Sequence, residues 1–230
     1  MNTHNPRQRL LAAQPKVALS TSITSYEVRH HSDILSLFEK TFNLTRNEIE
    51  EYTKFSLLEA DTGRNFFLYD HQLKALYLLL LKSRFMFIMN MGTGKTLTSL
   101  AAVYFYKKWK VSRKKCLFLV LSRTAVGGIL MDIRNMTHLT ACQWEPHLTE
   151  YPVDIAVTTY AAIRYHVLAE GKKKEDQLSK IRDYQEIFDT FVLDEFHAAK
   201  TSDSAISEIL YELVNNVHPL SPPALVCVMT

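Results

Sequence analysis

Residues 85–96 read FMFIMNMGTGKT, and this stretch decides the fold. Apolar residues of strand length come first, a turn with two glycines follows, and a helical pattern begins at Thr96. This order is typical of a phosphate-binding loop, because glycines let successive N–H groups point at one anion and the helix N-terminus adds partial positive charge. The candidate loop residues are Met91, Gly92, Thr93, Gly94, Lys95 and Thr96.

Lys95 and Thr96 belong to the Gly-Lys-Thr triplet that such a loop uses. Lys95 would reach the β- and γ-phosphates of a nucleotide, and the Thr96 hydroxyl would bind Mg²⁺. The strict motif has a glycine where this chain has Met89. The alternative is a glycine-rich turn that only caps a helix, but the triplet and its context together favour the phosphate loop.

Outward from this loop, short apolar runs alternate with amphipathic stretches of helical length. The predicted strands are 85–89, 116–121, 155–158, 191–194 and 224–229. The predicted helices are 70–82, 96–110, 124–137, 160–169, 175–187 and 203–216. Apolar strands that alternate with helices predict an α/β fold, in which a parallel sheet carries helices on both faces.

A second motif, FVLDEFH at residues 191–197, is an apolar strand that ends in two carboxylates and a histidine. In an open parallel sheet, ligands bind beyond the carboxyl ends of the strands, so Asp194 is expected at the same edge as the phosphate loop. Asp194 can bind Mg²⁺, and Glu195 can orient and deprotonate a water molecule. An isolated Asp-Glu pair is more often a solvated turn, but with the loop it predicts a nucleotide hydrolysis site.

Residues 1–65 differ from the rest of the chain, 66–230, and are predicted as a separate N-terminal segment. A polar tail without helical or strand period occupies the first 30 positions or so. The apolar stripe that starts at Ile34 then predicts a helix, and a capping box of Thr45 and Glu48 opens another. We interpret these helices as a strap packed on the main domain, and the alternative is a separate binding module.

The composition indicates a globular protein of a reducing compartment. The chain has three scattered cysteines, a polar start without the core of a signal peptide, and no apolar run long enough to span a bilayer. We therefore expect an intracellular protein, in the cytoplasm or nucleus, that is not secreted and has no membrane partner. Its net charge of +3 permits an anionic partner.

Six basic residues cluster at the end of the predicted helix 96–110 and in the residues that lead to the next strand. They are Lys107, Lys108, Lys110, Arg113, Lys114 and Lys115. Such a cluster invites a nucleic-acid interpretation, but the topology puts it at the edge of the sheet opposite the phosphate loop. We favour a solvated helix end, where cations complement the helix dipole.

The two motifs together resemble the first RecA-like lobe of superfamily-two helicases and translocases, and the resemblance covers residues 66–230. The segment LYDHQ looks like the element upstream of the loop whose glutamine, here Gln72, contacts adenine. The other matches are residues 89–96 to motif I, 119–122 to motif Ia, 155–160 to motif Ib, 194–200 to motif II and 225–230 to the strand that leads into motif III. Lys200 and the Thr-Thr-Tyr of motif Ib point to the Swi/Snf-like (DExH) branch of duplex-DNA translocases.

This resemblance implies a helicase-type ATPase that uses ATP and Mg²⁺ to move along nucleic acid, with duplex DNA the favoured track and RNA the alternative. It makes Lys95, Asp194, Glu195 and His197 the catalytic residues. It also implies contacts to a nucleic-acid backbone from residues that follow strand ends on the functional edge. These are Ser122, Arg123, Thr158 and Thr159, of which the serine and threonines are equally typical of helix caps.

Members of this family have a second RecA-like lobe that supplies an arginine finger. We therefore expect such a lobe in a longer chain or on another chain, and only weak ATP hydrolysis from these 230 residues alone. Two other functions stay open. One is a P-loop NTPase of another class, and the other is a non-catalytic nucleotide-binding lobe that regulates a complete enzyme.

Overall fold

The computed structural model describes eight stretches of the chain, residues 31–56, 65–90, 92–110, 114–145, 152–170, 173–197, 204–215 and 225–230. Four predicted features lie outside the described residues. They are the polar tail, the loop residue Met91, Arg113 of the basic cluster and the last part of motif II, 198–200.

Helices and strands alternate through the described stretches. The helices are α1 (His31–Phe42), α2 (Arg46–Thr53), α3 (Asp70–Lys82), α4 (Lys95–Lys110), α5 (Arg123–Met136), α6 (Tyr160–Glu170), α7 (Lys174–Ile187) and α8 (Ser204–Asn215). The strands are β1 (Lys54–Ser56), β2 (Asn65–Phe67), β3 (Arg84–Phe87), β4 (Lys115–Val120), β5 (Ala141–Gln143), β6 (Ile155–Thr159), β7 (Phe188–Leu193) and β8 (Leu225–Met229). Among the described helices, none combines the length and the apolarity that a membrane crossing needs.

Six strands form one sheet in the order β3-β8-β7-β4-β6-β5, and every neighbouring pair is parallel. The predicted α/β fold with a parallel sheet is confirmed. Because all six strands run the same way, the loop after β3 and the residues after β7 emerge at one edge, with the end of β8 between them. We call this edge the carboxyl edge.

Helices cover both faces of the sheet, as predicted. Strand β4 shows the division, because Phe118 and Val120 belong to one apolar cluster while Leu117 and Leu119 belong to the other. This alternation is the two-residue period of a strand buried on both sides. The first cluster contains apolar residues of α1, α3, α4 and α5, and the second contains those of α6, α7 and α8.

The helical part of the N-terminal segment packs against α3 and α4, two of the helices in the first cluster. The ring of Phe38 lies 5.3 Å from that of Tyr77 and 5.9 Å from that of Phe105, and its side chain is fully buried. The capping box at the start of α2 forms, since the Thr45 N–H donates to Glu48 Oε2 (2.7 Å) and the Glu48 N–H donates to Thr45 Oγ1 (3.3 Å). The division of the chain at residue 65 stays a prediction.

Three strands were not predicted from the sequence. Strands β1 and β2 pair antiparallel outside the main sheet, and β5 pairs with β6 at its edge. Each has three residues, so its polar and apolar positions are too few to show a period. Strand β7 also begins at Phe188, earlier than predicted, because the polar pair Asp189 and Thr190 continues the strand although it interrupts the apolar run.

The described part of the basic cluster lies at the opposite edge of the sheet, as its topology predicts, whereas Arg113 lies outside the described residues. The Lys107 ammonium is 3.3 Å from Asp154 Oδ1 and donates to the Lys114 carbonyl at 3.1 Å, while Lys114 Nζ donates to the Gln185 carbonyl at 2.9 Å. The Lys107 side chain is only 11% exposed, so it is not the solvated charge that we expected. These contacts tie the ends of α4 and α7 to the start of β4, and they favour a structural role for Lys107 and Lys114.

Asp154 provides a test of this structural role. Its carboxylate accepts hydrogen bonds from the backbone and hydroxyl of Thr140, both at 2.9 Å, in addition to the Lys107 contact. Burial opposes ionisation, but these hydrogen bonds and the Lys107 charge outweigh it and lower the pKa of Asp154. We expect Asp154→Asn to reduce the free energy of unfolding by about 1 kcal/mol at neutral pH, measured by urea unfolding.

This loss should depend on pH in one direction. Because the pKa is lowered in the folded state, the stabilisation is complete above about pH 4 and disappears as the pH falls through the folded-state pKa. The difference between parent and variant should therefore shrink in acid. Asp183→Asn, at an exposed position of α7, is the matched control. Its free energy of unfolding should equal that of the parent both at neutral pH and in acid. An Asp154→Asn variant as stable as this control at neutral pH would contradict the assignment.

Candidate active site

The loop between β3 and α4 has the backbone conformation that its glycines predict. Gly92 and Gly94 adopt φ angles of +76° and +82°, in the region that side chains disfavour. A Cβ on Gly94 would also collide with the side-chain amide nitrogen of Gln72. The Thr93 hydroxyl braces the loop by donating to the Asn90 carbonyl at 2.7 Å. Helix α4 begins at Lys95, so its N-terminus faces this loop and can bind an anion.

Lys95 reaches from the start of α4 across the carboxyl edge. Its ammonium donates to the Met89 carbonyl at 3.1 Å and lies 4.0 Å from Glu195 Oε1, and its side chain is 14% exposed. The loop and the acidic motif are about one hundred residues apart in the sequence. The structure therefore brings these two predicted groups together.

The acidic motif directly follows β7. The Asp194 N–H donates to the Leu119 carbonyl at 2.9 Å, which extends the pairing of β7 with β4 by one residue. Glu195 then adopts a φ of +51°, in the left-handed region that favours glycine. Asp194 is therefore held in position directly after β7, and Glu195, the next residue, has an unusual backbone conformation.

His197 links the acidic motif to the end of β8. Its Nδ1 lies 3.4 Å from Glu195 Oε2 and 2.7 Å from the hydroxyl of Thr230. Thr230 also contacts β3, since its N–H donates to the carbonyl of Phe87, the last residue of that strand, at 3.0 Å. At the carboxyl edge, β8 is therefore connected to β7 through side chains and to β3 through the backbone.

The site concentrates negative charge. Burial, followed by the neighbouring Glu195 carboxylate, raises the pKa of Asp194, while the Glu195 backbone N–H and the Lys95 charge act in the opposite direction. A divalent cation at this point would relieve the repulsion between the two carboxylates. Oxygen ligands suit Mg²⁺, which keeps several waters and uses few protein groups, and Asp194 with the hydroxyl of the half-buried Thr96 fits that requirement.

Gln72, the predicted adenine contact, lies against the phosphate loop. Its side chain is buried, its Oε1 accepts from the Tyr69 N–H at 2.9 Å, and its Nε2 donates to the Thr93 carbonyl at 3.1 Å. Each end of the amide is therefore engaged in one hydrogen bond. A contact with adenine would use the remaining N–H or lone pair of the amide, or replace one of these two hydrogen bonds.

Two aromatic residues beside the loop were missed by sequence reasoning. Tyr69 is 71% exposed and stacks on His71 with the ring centres 5.9 Å apart, and His71 Nε2 lies 3.1 Å from the Thr93 carbonyl. The signal was present in the segment LYDHQ, where the two rings are one residue apart. Their position makes them candidates to contact a bound base.

The four predicted nucleic-acid residues lie at the carboxyl edge but differ in exposure. Ser122 and Arg123 follow β4 and are exposed, whereas Thr158 and Thr159 do not follow a strand as predicted but are the last two residues of β6, buried at 3% and 9%. The hydroxyls of Ser122 and Thr159 accept from the backbone N–H groups of Ala125 and Ala162, both at 3.2 Å. These contacts are helix caps, the alternative considered for such residues. Contact with nucleic acid stays a prediction for all four.

Comparison with known proteins gives a family match and several structural neighbours. Residues 65–220 match the family described as "Type III restriction enzyme, res subunit". The fold is similar to the SWI2/SNF2 ATPase core of Sulfolobus solfataricus in complex with dsDNA, with 18% identity, a TM-score of 0.51, and 71% of this chain and 31% of that chain covered. It is also similar to the UvsW helicase of bacteriophage T4, with 16% identity, a TM-score of 0.55, and coverage of 81% and 60%. No curated protein gives a significant match.

Proposed function

Because the chain belongs to the family of type III restriction enzyme res subunits and folds as a superfamily-two helicase-like RecA lobe, we propose that it is the ATP-binding lobe of a DNA translocase. In this proposal the lobe hydrolyses ATP to move along nucleic acid, inside the cell and with duplex DNA as the track. The chain spans 31% and 60% of the two structural neighbours named above, so the activity of a whole protein is part of the proposal.

One observation carries the proposal. The Lys95 ammonium and the Glu195 carboxylate lie 4.0 Å apart across the carboxyl edge, between a phosphate-loop backbone and a strand end with two carboxylates. A loop that only capped α4 would not explain why the Glu195 carboxylate lies beside its lysine and is linked through His197 to Thr230. The arrangement is suited to phosphoryl transfer, in which positioning and charge neutralisation do most of the work.

Each residue then has a role in the proposed reaction. The loop from Gly92 to Thr96 and the N-terminus of α4 would hold the phosphates, with Lys95 at the β- and γ-phosphates. Thr96 and Asp194 would hold Mg²⁺, which neutralises charge on the phosphates when bound. Glu195 would orient and deprotonate the attacking water.

Gln72 and His197 would connect hydrolysis with the rest of the lobe. Gln72 would exchange its hydrogen bond to the Thr93 carbonyl for a contact with adenine. Binding of the base would then change a contact of the phosphate loop directly. His197 contacts both Glu195 and Thr230, so a movement of the Glu195 carboxylate during hydrolysis would be transmitted through His197 to Thr230 at the end of β8. The transition state needs positive charge from both sides, and we propose a second RecA-like lobe, on the same or another chain, as the source of the other cation.

The proposed track would run along the carboxyl edge at β4 and β6. Arg123 offers an exposed cation at the start of α5, where backbone N–H groups can also contact phosphate. Such contacts give binding that is independent of sequence and sensitive to salt. The structural neighbour from Sulfolobus solfataricus is a complex with dsDNA, which supports duplex DNA over RNA.

Steady-state ATP hydrolysis by the longest natural form of the gene product tests the proposal. We expect duplex DNA to stimulate the rate more strongly than single-stranded DNA or RNA, and the stimulation to weaken as salt rises from low to physiological concentration. Hydrolysis that is indifferent to nucleic acid would favour a P-loop NTPase of another class. Absence of turnover even with a second lobe supplied would favour a regulatory nucleotide-binding lobe.

A further inference from the structure

Tyr160, the first residue of α6, contacts the acidic motif from a distant strand. Its side chain is buried, and its hydroxyl donates to the backbone carbonyl of Asp194 at 2.8 Å. Strand β6, which leads into Tyr160, is not adjacent to β7, because β4 lies between them. The tyrosine side chain therefore spans the end of β4 to reach the peptide between Asp194 and Glu195.

That stretch of backbone is held on both sides. The Asp194 N–H donates to the Leu119 carbonyl at the end of β4, while the Asp194 carbonyl accepts from Tyr160. Because the peptide is planar, the orientation of this carbonyl also fixes the orientation of the Glu195 N–H. Glu195 has a φ of +51°, which a residue with a side chain keeps only when its surroundings hold it there.

The conformation of Glu195 matters because of where its carboxylate lies. Its Oε1 lies 4.0 Å from Lys95 Nζ, and its Oε2 lies 3.4 Å from His197 Nδ1. A different peptide orientation would move the carboxylate away from the phosphate loop. Burial and the negative charges of Asp194 and Glu195 raise the pKa of Tyr160, so its hydroxyl keeps its proton and remains a donor at every working pH.

We propose that Tyr160 is a positioning residue for ATP hydrolysis, which acts by holding the Asp194–Glu195 peptide so that the Glu195 carboxylate faces the phosphate loop. This inference rests on the proposed function, because it needs Glu195 to act on the attacking water. Tyr160 does not contact the nucleotide phosphates in this account. Its loss therefore lowers the rate of the chemical step and leaves ATP binding intact.

Tyr160→Phe tests the inference, because it removes one hydroxyl and keeps the volume of the ring. Tyr184→Phe is the matched control, since Tyr184 is buried in the same apolar cluster and its hydroxyl bonds to His166, away from the acidic motif. The measurement is kcat and KM for ATP in the longest natural form of the gene product, with saturating duplex DNA. Thermal melting of both variants reports the loss of stability that the two substitutions share.

We expect Tyr160→Phe to lower kcat by about fivefold, with KM for ATP changed less than twofold, whereas Tyr184→Phe keeps both constants within twofold of the parent. Amide hydrogen exchange at residues 194–196 should also become faster in Tyr160→Phe alone. Equal kcat values in the two variants, or a raised KM with kcat unchanged, would overturn the inference. A parent that hydrolyses no ATP would overturn the proposed function as well, whereas an active parent with an unaffected Tyr160→Phe variant would overturn this inference alone.

Discussion

Glu195→Gln should lower the rate of ATP hydrolysis by about 10²- to 10⁴-fold and leave ATP·Mg²⁺ binding close to that of the parent. The glutamine keeps the size of the side chain but cannot accept a proton from the attacking water. Asp194 and the phosphate loop are untouched, so the groups proposed to hold Mg²⁺ and the phosphates remain. Steady-state hydrolysis and equilibrium titration with a fluorescent ATP analogue, both on the longest natural form, measure the two halves of this expectation.

Glu186→Gln provides the control for Glu195→Gln. Glu186 is exposed near the end of α7, at the opposite edge of the sheet, and its substitution makes the same change of charge. We expect this control to keep the parent rate. If Glu195→Gln hydrolysed ATP as fast as Glu186→Gln, another group would have to activate the water, and the role assigned to Glu195 would be wrong.

Lys95→Ala should abolish detectable ATP binding and lower kcat/KM by at least about 10²-fold. The ammonium lies 14% exposed between the Met89 carbonyl and the Glu195 carboxylate, so its charge acts where little water screens it. Its removal leaves the phosphates without their side-chain cation from this lobe. It also leaves Glu195 and Asp194 with less opposing charge, which disfavours a polyphosphate further.

Lys82→Ala is the matched control for Lys95→Ala. Lys82 is exposed at the end of α3, before β3, and so lies at the edge of the sheet opposite the phosphate loop. Calorimetric titration with ATP·Mg²⁺ should give the parent affinity for this control, and thermal melting should show that both variants are folded. Binding of ATP·Mg²⁺ by Lys95→Ala as tight as that of the parent would disprove the phosphate-loop assignment.

Much of the fold could be predicted because its signals are local. The apolar runs of β4, β6 and β8 and the amphipathic helices between them show their periods within five to sixteen residues. The glycine turn before Lys95 and the carboxylates after β7 are likewise contiguous in the chain. Short elements escaped the same reasoning, since β5 has three residues and its pairing with β6 comes from the whole sheet.

Sequence patterns selected the residues of the candidate site but could not show their contacts. Pattern alone selected Lys95 and Glu195, and it also selected Thr158 and Thr159, which the structure buries at the end of β6. It assigned Gln72 to adenine without showing that both ends of the amide are engaged by the backbone around it. It gave Tyr160 no role beyond its place in motif Ib. The residues around a tyrosine at a helix start do not indicate which distant group its hydroxyl contacts.

The amino-acid sequence by itself therefore determined the fold class, the glycine turn before α4 and the acidic strand end, since periodicity, glycine conformations and residue chemistry act over a few neighbouring positions. Only the tertiary structure decided that Lys95 meets Glu195, that Thr230 reaches His197, and that Tyr160 spans β4 to hold the Asp194 carbonyl. Each of these contacts joins residues at least 33 positions apart and depends on the order of strands in the sheet. Strand order is set by the packing of all the helices and strands together, so no single stretch of the chain encodes it.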